Sequence, residues 1–84
     1  MINTLFTRRY ADGLAVTALW EPSPACRGYS HVGELELIAV RDDQRIGCER
    51  YALSEESLAQ CQQRTVSLTN GFVARARERE QVHH

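Results

Sequence analysis

The chain contains no lysine. All ten of its basic residues are arginine. Such a bias reflects either a GC-rich coding sequence or a surface built for contact. Arginine is enriched in interfaces and lysine depleted, because the guanidinium is planar, weakly hydrated and bidentate. An excess of either charge is also missing: the formal net charge is −1. That excludes the electrostatic footprint of a dedicated nucleic-acid or membrane-surface binder.

Cysteines do not come in pairs. Cys26, Cys48 and Cys61 make three, whereas a short secreted disulfide scaffold carries an even number. Three free thiols fit a reducing cytoplasm. Long apolar runs are absent too, so nothing approaches the ~20 residues of a membrane span. A loose export-like pattern, Thr7-Arg8-Arg9, then residues 14–20, then Ser23-Pro24-Ala25-Cys26, fails in detail. Asp12 and Gly13 interrupt it, and Glu21 and Pro22 follow the apolar segment where small residues belong. There is no Walker loop, GxGxxG, HExxH, EF-hand or CxxC.

What is present is an ordinary globular composition, 43% apolar and 25% charged over 84 residues. Residues 1–80 form a single domain, ending in the charged run RARERE, and the tail that follows, 81–84, is expected to fray. His83 and His84 are either the native end or the remnant of a purification tag.

Residues 2–10 are rich in strand-favouring types, and Asp12-Gly13 is a hairpin signal. In LAVTALW, Leu14, Val16, Ala18 and Trp20 share one face and Ala15, Thr17 and Leu19 the other. Both faces are apolar enough for an interior strand. GELELIAVRD predicts a third strand, in which Glu34 and Glu36 alternate with Leu35 and Leu37. Ile38 and Val40 then fall on the glutamate face, which calls for a bulge or for cover on both faces. Asp42-Asp43-Gln44 is a turn, and RIGCERYAL a fourth strand.

Ser54 is the expected helix cap, with Glu55 and Glu56 in the first turn. From there Leu58, Cys61, Thr65, Leu68, Thr69, Phe72, Val73 and Ala76 form one stripe. The stripe keeps its phase through Asn70-Gly71, which predicts one helix from 55 to about 79. The fold expected is α+β, a four-stranded antiparallel sheet in ββββα order with the helix on one face. Beside strands of about eight residues, or ~26 Å, such a helix overhangs the sheet. Leu68, Phe72, Val73 and Ala76 are then the expected dimer contact.

Residues 21–31, EPSPACRGYSH, hold both prolines and exceed the ~4–6 residue median for a connection. Cys26, His31, Cys48 and Cys61 have the number of ligands tetrahedral zinc takes but not the close pairing. A Cys26–His31 nucleophile has no third orienting group, and a sheet with one helix leaves little room for a pocket of ~300 Å³. No metal and no cofactor are therefore expected, and no enzymatic activity.

By elimination the expectation is a small, cytoplasmic, non-catalytic protein-binding module. Trp20, Arg27, Tyr29, His31, Glu34 and Glu36 are its candidate contacts. Small, lysine-free proteins of this build are common among phage and mobile-element accessory proteins. These include inhibitors of host complexes such as anti-CRISPR proteins; the analogy is one of size and style. The alternative is nucleic-acid binding through Arg8-Arg9-Tyr10 with Arg27 and Tyr29. A small metal-binding or thiol-dependent protein ranks third.

Overall fold

The computed structural model describes residues 1–82. Its strands are β1 (Asn3–Arg9), β2 (Ala15–Pro22), β3 (His31–Arg41) and β4 (Gln44–Glu55), followed by one helix, α1 (Leu58–Val82). The strands form an antiparallel meander in the order β1-β2-β3-β4. This is the α+β arrangement expected from the periodicities. His83 and His84 lie outside the described residues, and the helix runs two residues beyond the domain boundary expected at 80.

Short connections set the topology. Tyr10 and Leu14 close the first hairpin around Ala11, Asp12 and Gly13, with Tyr10 N–H donating to the Leu14 carbonyl at 2.8 Å. Gly13, at φ 92°, takes the left-handed position that a three-residue hairpin loop requires. In the second hairpin Arg41 pairs with Gln44 across Asp42 and Asp43. Both aspartates have positive φ, 53° and 63°, as a type I′ turn demands. Aspartate tolerates this region because its short side chain bonds locally.

One face of the sheet carries the core. Val16 and Ala18 of β2, Leu35, Leu37 and Ala39 of β3, and Leu53 of β4 are buried, together with Leu14 just before β2. Cys61, Thr65, Thr69, Phe72, Val73 and Ala76 of α1 meet them. The two threonine hydroxyls donate to the carbonyls four residues back, Thr65 to Cys61 at 2.8 Å and Thr69 to Thr65 at 2.7 Å. Their polar atoms are thereby satisfied, and they pack as apolar residues do.

Three expectations are corrected. The helix begins at Leu58, not at 55, and Ser57 caps it by accepting from the Gln60 N–H at 3.2 Å. Ser54 and Glu55 instead extend β4, opposite Val32 and His31. Sheet pairing thus wins over a good capping signature. The alternation in β3 runs on without a phase shift; the bulge lies in β4, where Ile46 is the extra residue opposite Ala39 and Val40. Ile38 and Val40 stay half-buried on the face away from the helix.

Finally, the helix does not overhang. β3 has 11 residues and β4 has 12, and at ~3.3 Å per residue the longer strand matches a 25-residue helix at ~1.5 Å per residue. Phe72, Val73 and Ala76 are buried against their own sheet, and Leu68 packs beside them. The expected dimer contact at these four residues is therefore already covered within one chain.

Candidate functional site

The two ends of this long molecule, 48 × 21 × 19 Å, differ in kind. At the end holding the two tight turns and the helix C-terminus, charge closes the structure. Arg41 donates through Nε to Glu80 Oε2 at 2.6 Å and through Nη1 to the Asp12 carbonyl at 2.7 Å. Arg77 reaches Asp12 Oδ1 at 3.2 Å and lies over the Tyr10 ring, 4.9 Å from its centroid. Further along, Glu49 faces the helix and takes two bonds from Arg75, at 2.7 and 3.1 Å, and the Tyr51 hydroxyl. The Arg75 bonds hold the Glu49 carboxyl below its ordinary range despite partial burial. The helix-end arginines thus pair with carboxylates of β4 and of the first turn.

The opposite end is open. It holds the N-terminus, the 23–30 connector and the start of α1, as the antiparallel registers require. Met1, Ile2, Leu5, Tyr29 and Leu58 are exposed there, with Val66 two turns further along the helix. Between β1 and α1 lies a cleft of about 460 Å³, floored by Phe6 and Trp20 and walled by Leu58, Cys61 and Val66, with Arg8 and His31 at its rim. It exists because α1 lies over β3 and β4, leaving β1 without a helix above it. The room is larger than expected for a sheet with one helix.

Trp20 owes its place to Gly33. A Cβ at Gly33 would stand 2.6 Å from Trp20 Cζ2 and 2.5 Å from the Glu21 carbonyl oxygen. The indole therefore occupies the space that a side chain at this position of β3 would fill. His31 is positioned by Ser30, whose Oγ donates to the Glu56 carbonyl at 2.8 Å and lies 2.8 Å from His31 Nδ1. The Ser30 hydroxyl thus links the Glu56 carbonyl to the His31 ring and fixes its orientation.

The connector is exposed throughout but shaped. Tyr29 N–H donates to the Cys26 carbonyl at 2.9 Å, and Gly28 has φ 83°. A four-residue turn, Cys26 to Tyr29, therefore forms its tip. Ser23 N–H donates to the Val32 carbonyl at 2.8 Å, which continues the hairpin below it. Arg27 and Tyr29 project from this tip with no part in the core.

Glu34 and Glu36 lie elsewhere, on the sheet face away from the helix. Arg50 pairs with Glu36 at 3.1 Å and reaches Glu34 at 4.0 Å. Cys48 donates to Glu36 Oε2 at 3.1 Å. The bonds from Cys48 and Arg50 lower the Glu36 pKa, while burial and the carboxylate push the Cys48 thiol up. That disfavours a reactive thiolate at Cys48. Burial likewise raises the Cys61 thiol.

Of the six expected partner contacts, the fold brings Trp20 and His31 to the cleft and Arg27 and Tyr29 to the adjoining tip. It sets Glu34 and Glu36 on the other side. The zinc-like set is dispersed: Cys26 on the tip, Cys48 on the far face, Cys61 on the buried side of the helix, His31 at the cleft. Among the described residues no group of three or more metal-ligating side chains converges. Of the expected basic-aromatic set, Arg9 and Tyr10 stand at the opposite end of β2 from Arg27 and Tyr29, while Arg8 borders the cleft, so the five residues do not share one patch. Leu58, expected in the packed stripe of the helix, is instead 55% exposed, because it is the first helical residue and nothing of the sheet covers it there, and Leu5 and Val66 carry no mark in the sequence. Leu58 and Val66 belong to one i, i+4 row, but which row a sheet covers depends on the lateral placement of the helix.

The architecture defines a small α+β domain, a four-stranded meander with one helix. Comparison with protein families, with curated proteins and with solved structures found no match. Among the described residues no helix is long and apolar enough to cross a membrane.

Proposed function

We propose that this protein is a small, non-catalytic protein-binding module that holds its partner at the open end, through the Cys26–Tyr29 tip. The observation that carries this is the connector itself. Every residue from 21 to 30 is exposed and so adds nothing to the core. Yet the segment is held in one shape by its turn, its two prolines and the Ser30 bond to Glu56. A preorganised loop loses little entropy on binding. It presents Tyr29, 43% exposed, and Arg27, two of the residue types that dominate interface hot spots.

The narrower reading, an accessory protein of a phage or mobile element that inhibits a complex of its cytoplasmic host, rests on size and composition. In either form the test is the same. Arg27→Ala with Tyr29→Ala should abolish capture of the partner from a host lysate and leave the thermal midpoint unchanged. Capture that persists at wild-type level, with the variant folded, removes this placement.

A further inference from the structure

The cleft between β1 and α1 is apolar on its floor and walls, yet an arginine borders it. Among the described residues no aspartate or glutamate does. β1 brings Arg8 to this position. Arg8 pairs with Val16 and Phe6 with Ala18, so both side chains point to the helix side of the sheet. A charged residue is tolerated on that face because α1 lies over β3 and β4 and leaves β1 uncovered.

Arg8 differs from the arginines at the other end of the molecule. Arg41, Arg75, Arg77 and Arg79 are matched to carboxylates. Among the described residues no carboxylate lies within 4.0 Å of Arg8. Its guanidinium lies over the Phe6 ring instead, 5.4 Å from the centroid. That contact steadies the cation at the cleft without consuming its five N–H donors. An arginine fork with free donors matches a carboxylate, which it binds through two parallel hydrogen bonds.

The other polar groups of the cleft supply no competing anion. Thr65 spends its hydroxyl proton on the Cys61 carbonyl at 2.8 Å. Burial raises the Cys61 thiol, which therefore stays protonated and neutral. The complement of this site is an apolar body with one negative head.

The cleft also has a direction. Its helix wall runs from Leu58 to Val66, ~12 Å at 1.5 Å per residue. Arg8 lies level with Ala39 of β3, by way of Val16, whereas His31 stands at the other end of that strand. Glu55 is paired opposite His31. A negative head therefore belongs at the Arg8 end, away from Glu55, with its tail over Phe6 and Trp20.

We infer that this cleft binds a free, straight-chain carboxylate of medium length, its head held by Arg8 and its alkyl chain laid over Phe6 and Trp20 beside the start of α1. A volume of about 460 Å³ lies in the ordinary range of ligand cavities, ~300–1,000 Å³. The cleft is distinct from the Cys26–Tyr29 tip, so this site goes beyond the proposed function and does not depend on it.

Trp20 is the one tryptophan of the chain and floors the cleft, so its emission reports occupancy. Titration with decanoate at neutral pH, below its micelle concentration, should give a saturable change that fits one site per chain, with a Kd below about 1 mM. Octanoate, two methylenes shorter, should bind about tenfold more weakly. Decanol should also bind about tenfold more weakly than decanoate, and decylammonium more weakly still. Arg8→Gln should bring decanoate down to the level of decanol and leave decanol unchanged. Arg9→Gln, on the opposite face of β1, should alter neither. The Arg27→Ala, Tyr29→Ala variant should bind decanoate as wild type does, which separates this site from the tip. If Arg8→Gln fails to fold, the comparison of decanoate, decanol and decylammonium on the wild type decides alone. The absence of saturable decanoate binding overturns the inference. So does equal affinity of the wild type for decanoate and decanol, or an equal loss in Arg8→Gln and Arg9→Gln.

Discussion

Gly33 shows how one residue shapes the open end. Its missing side chain leaves the space that the Trp20 indole occupies, and the Glu21 carbonyl crowds the same space. Gly33→Ala should therefore destabilise the domain by about 1–3 kcal/mol, the usual cost of overpacking. Urea unfolding followed by fluorescence of the single tryptophan measures it, and the folded-state emission should shift as the indole is displaced. A variant as stable as wild type with unchanged emission would mean that Trp20 does not rest there. At the same scale, two aspartates rather than glycine or asparagine fill the β3–β4 turn. Both accept positive φ, which is why aspartate-aspartate serves as a hairpin turn here.

Among elements, the junction of β4 and α1 is governed by Glu49. It projects from β4 toward the helix and binds Arg75 and Tyr51, with Arg79 at 3.6 Å. Its carboxyl is held below the ordinary value of 4.5 by the Arg75 bonds. The sign follows from linkage. A folded-state pKa below the unfolded one contributes stability that is fully present above about pH 4.5 and lost as pH falls through the lower folded value. Glu36, also lowered by its bonds from Cys48 and Arg50, acts in the same direction. The thermal midpoint should fall as pH drops below about 4.5, and Glu49→Gln should flatten that acid limb while costing little near neutrality. Partly exposed ion pairs contribute only ~0–1 kcal/mol. An unchanged acid limb in Glu49→Gln would assign acid sensitivity to other carboxylates.

Over the whole molecule, stability should be graded from one end to the other. The turn end combines the ion-pair network with the deepest part of the core, Phe72, Val73 and Ala76. In residues 58–64 only Cys61 is buried. Local opening is easiest where buried apolar contacts are few. Amides of residues 61–64 should exchange faster than those of residues 72–76. Uniform protection along the helix would contradict the gradient. The same polarity leaves the tip and the cleft available for contacts at one end, on a frame fastened at the other.

Much of the fold was legible in the sequence because it rests on local chemistry. Alternation in LAVTALW and GELELIAVRD, glycine and aspartate at the turns, and an unbroken helical stripe through Asn70-Gly71 each specify an element from its own residues. Short connections then leave little choice but an antiparallel meander. Strand length was another matter: Ser54 and Glu55 have the chemistry of a helix start, and only pairing with Val32 and His31 made them strand. That extension is why Phe72, Val73 and Ala76 are covered by their own sheet rather than exposed. The candidate site was legible in part. Trp20, Arg27, Tyr29 and His31 were marked by residue type and by an overlong connector, but Leu5 and Val66 were not, and Leu58 belonged by periodicity to the buried stripe. Their exposure follows from the helix lying over β3 and β4 instead of the sheet centre, a lateral choice made by the packing of Phe72 and the pairing of Glu49 with Arg75. Periodicity names the face of a helix; only tertiary packing decides which part of that face the sheet covers.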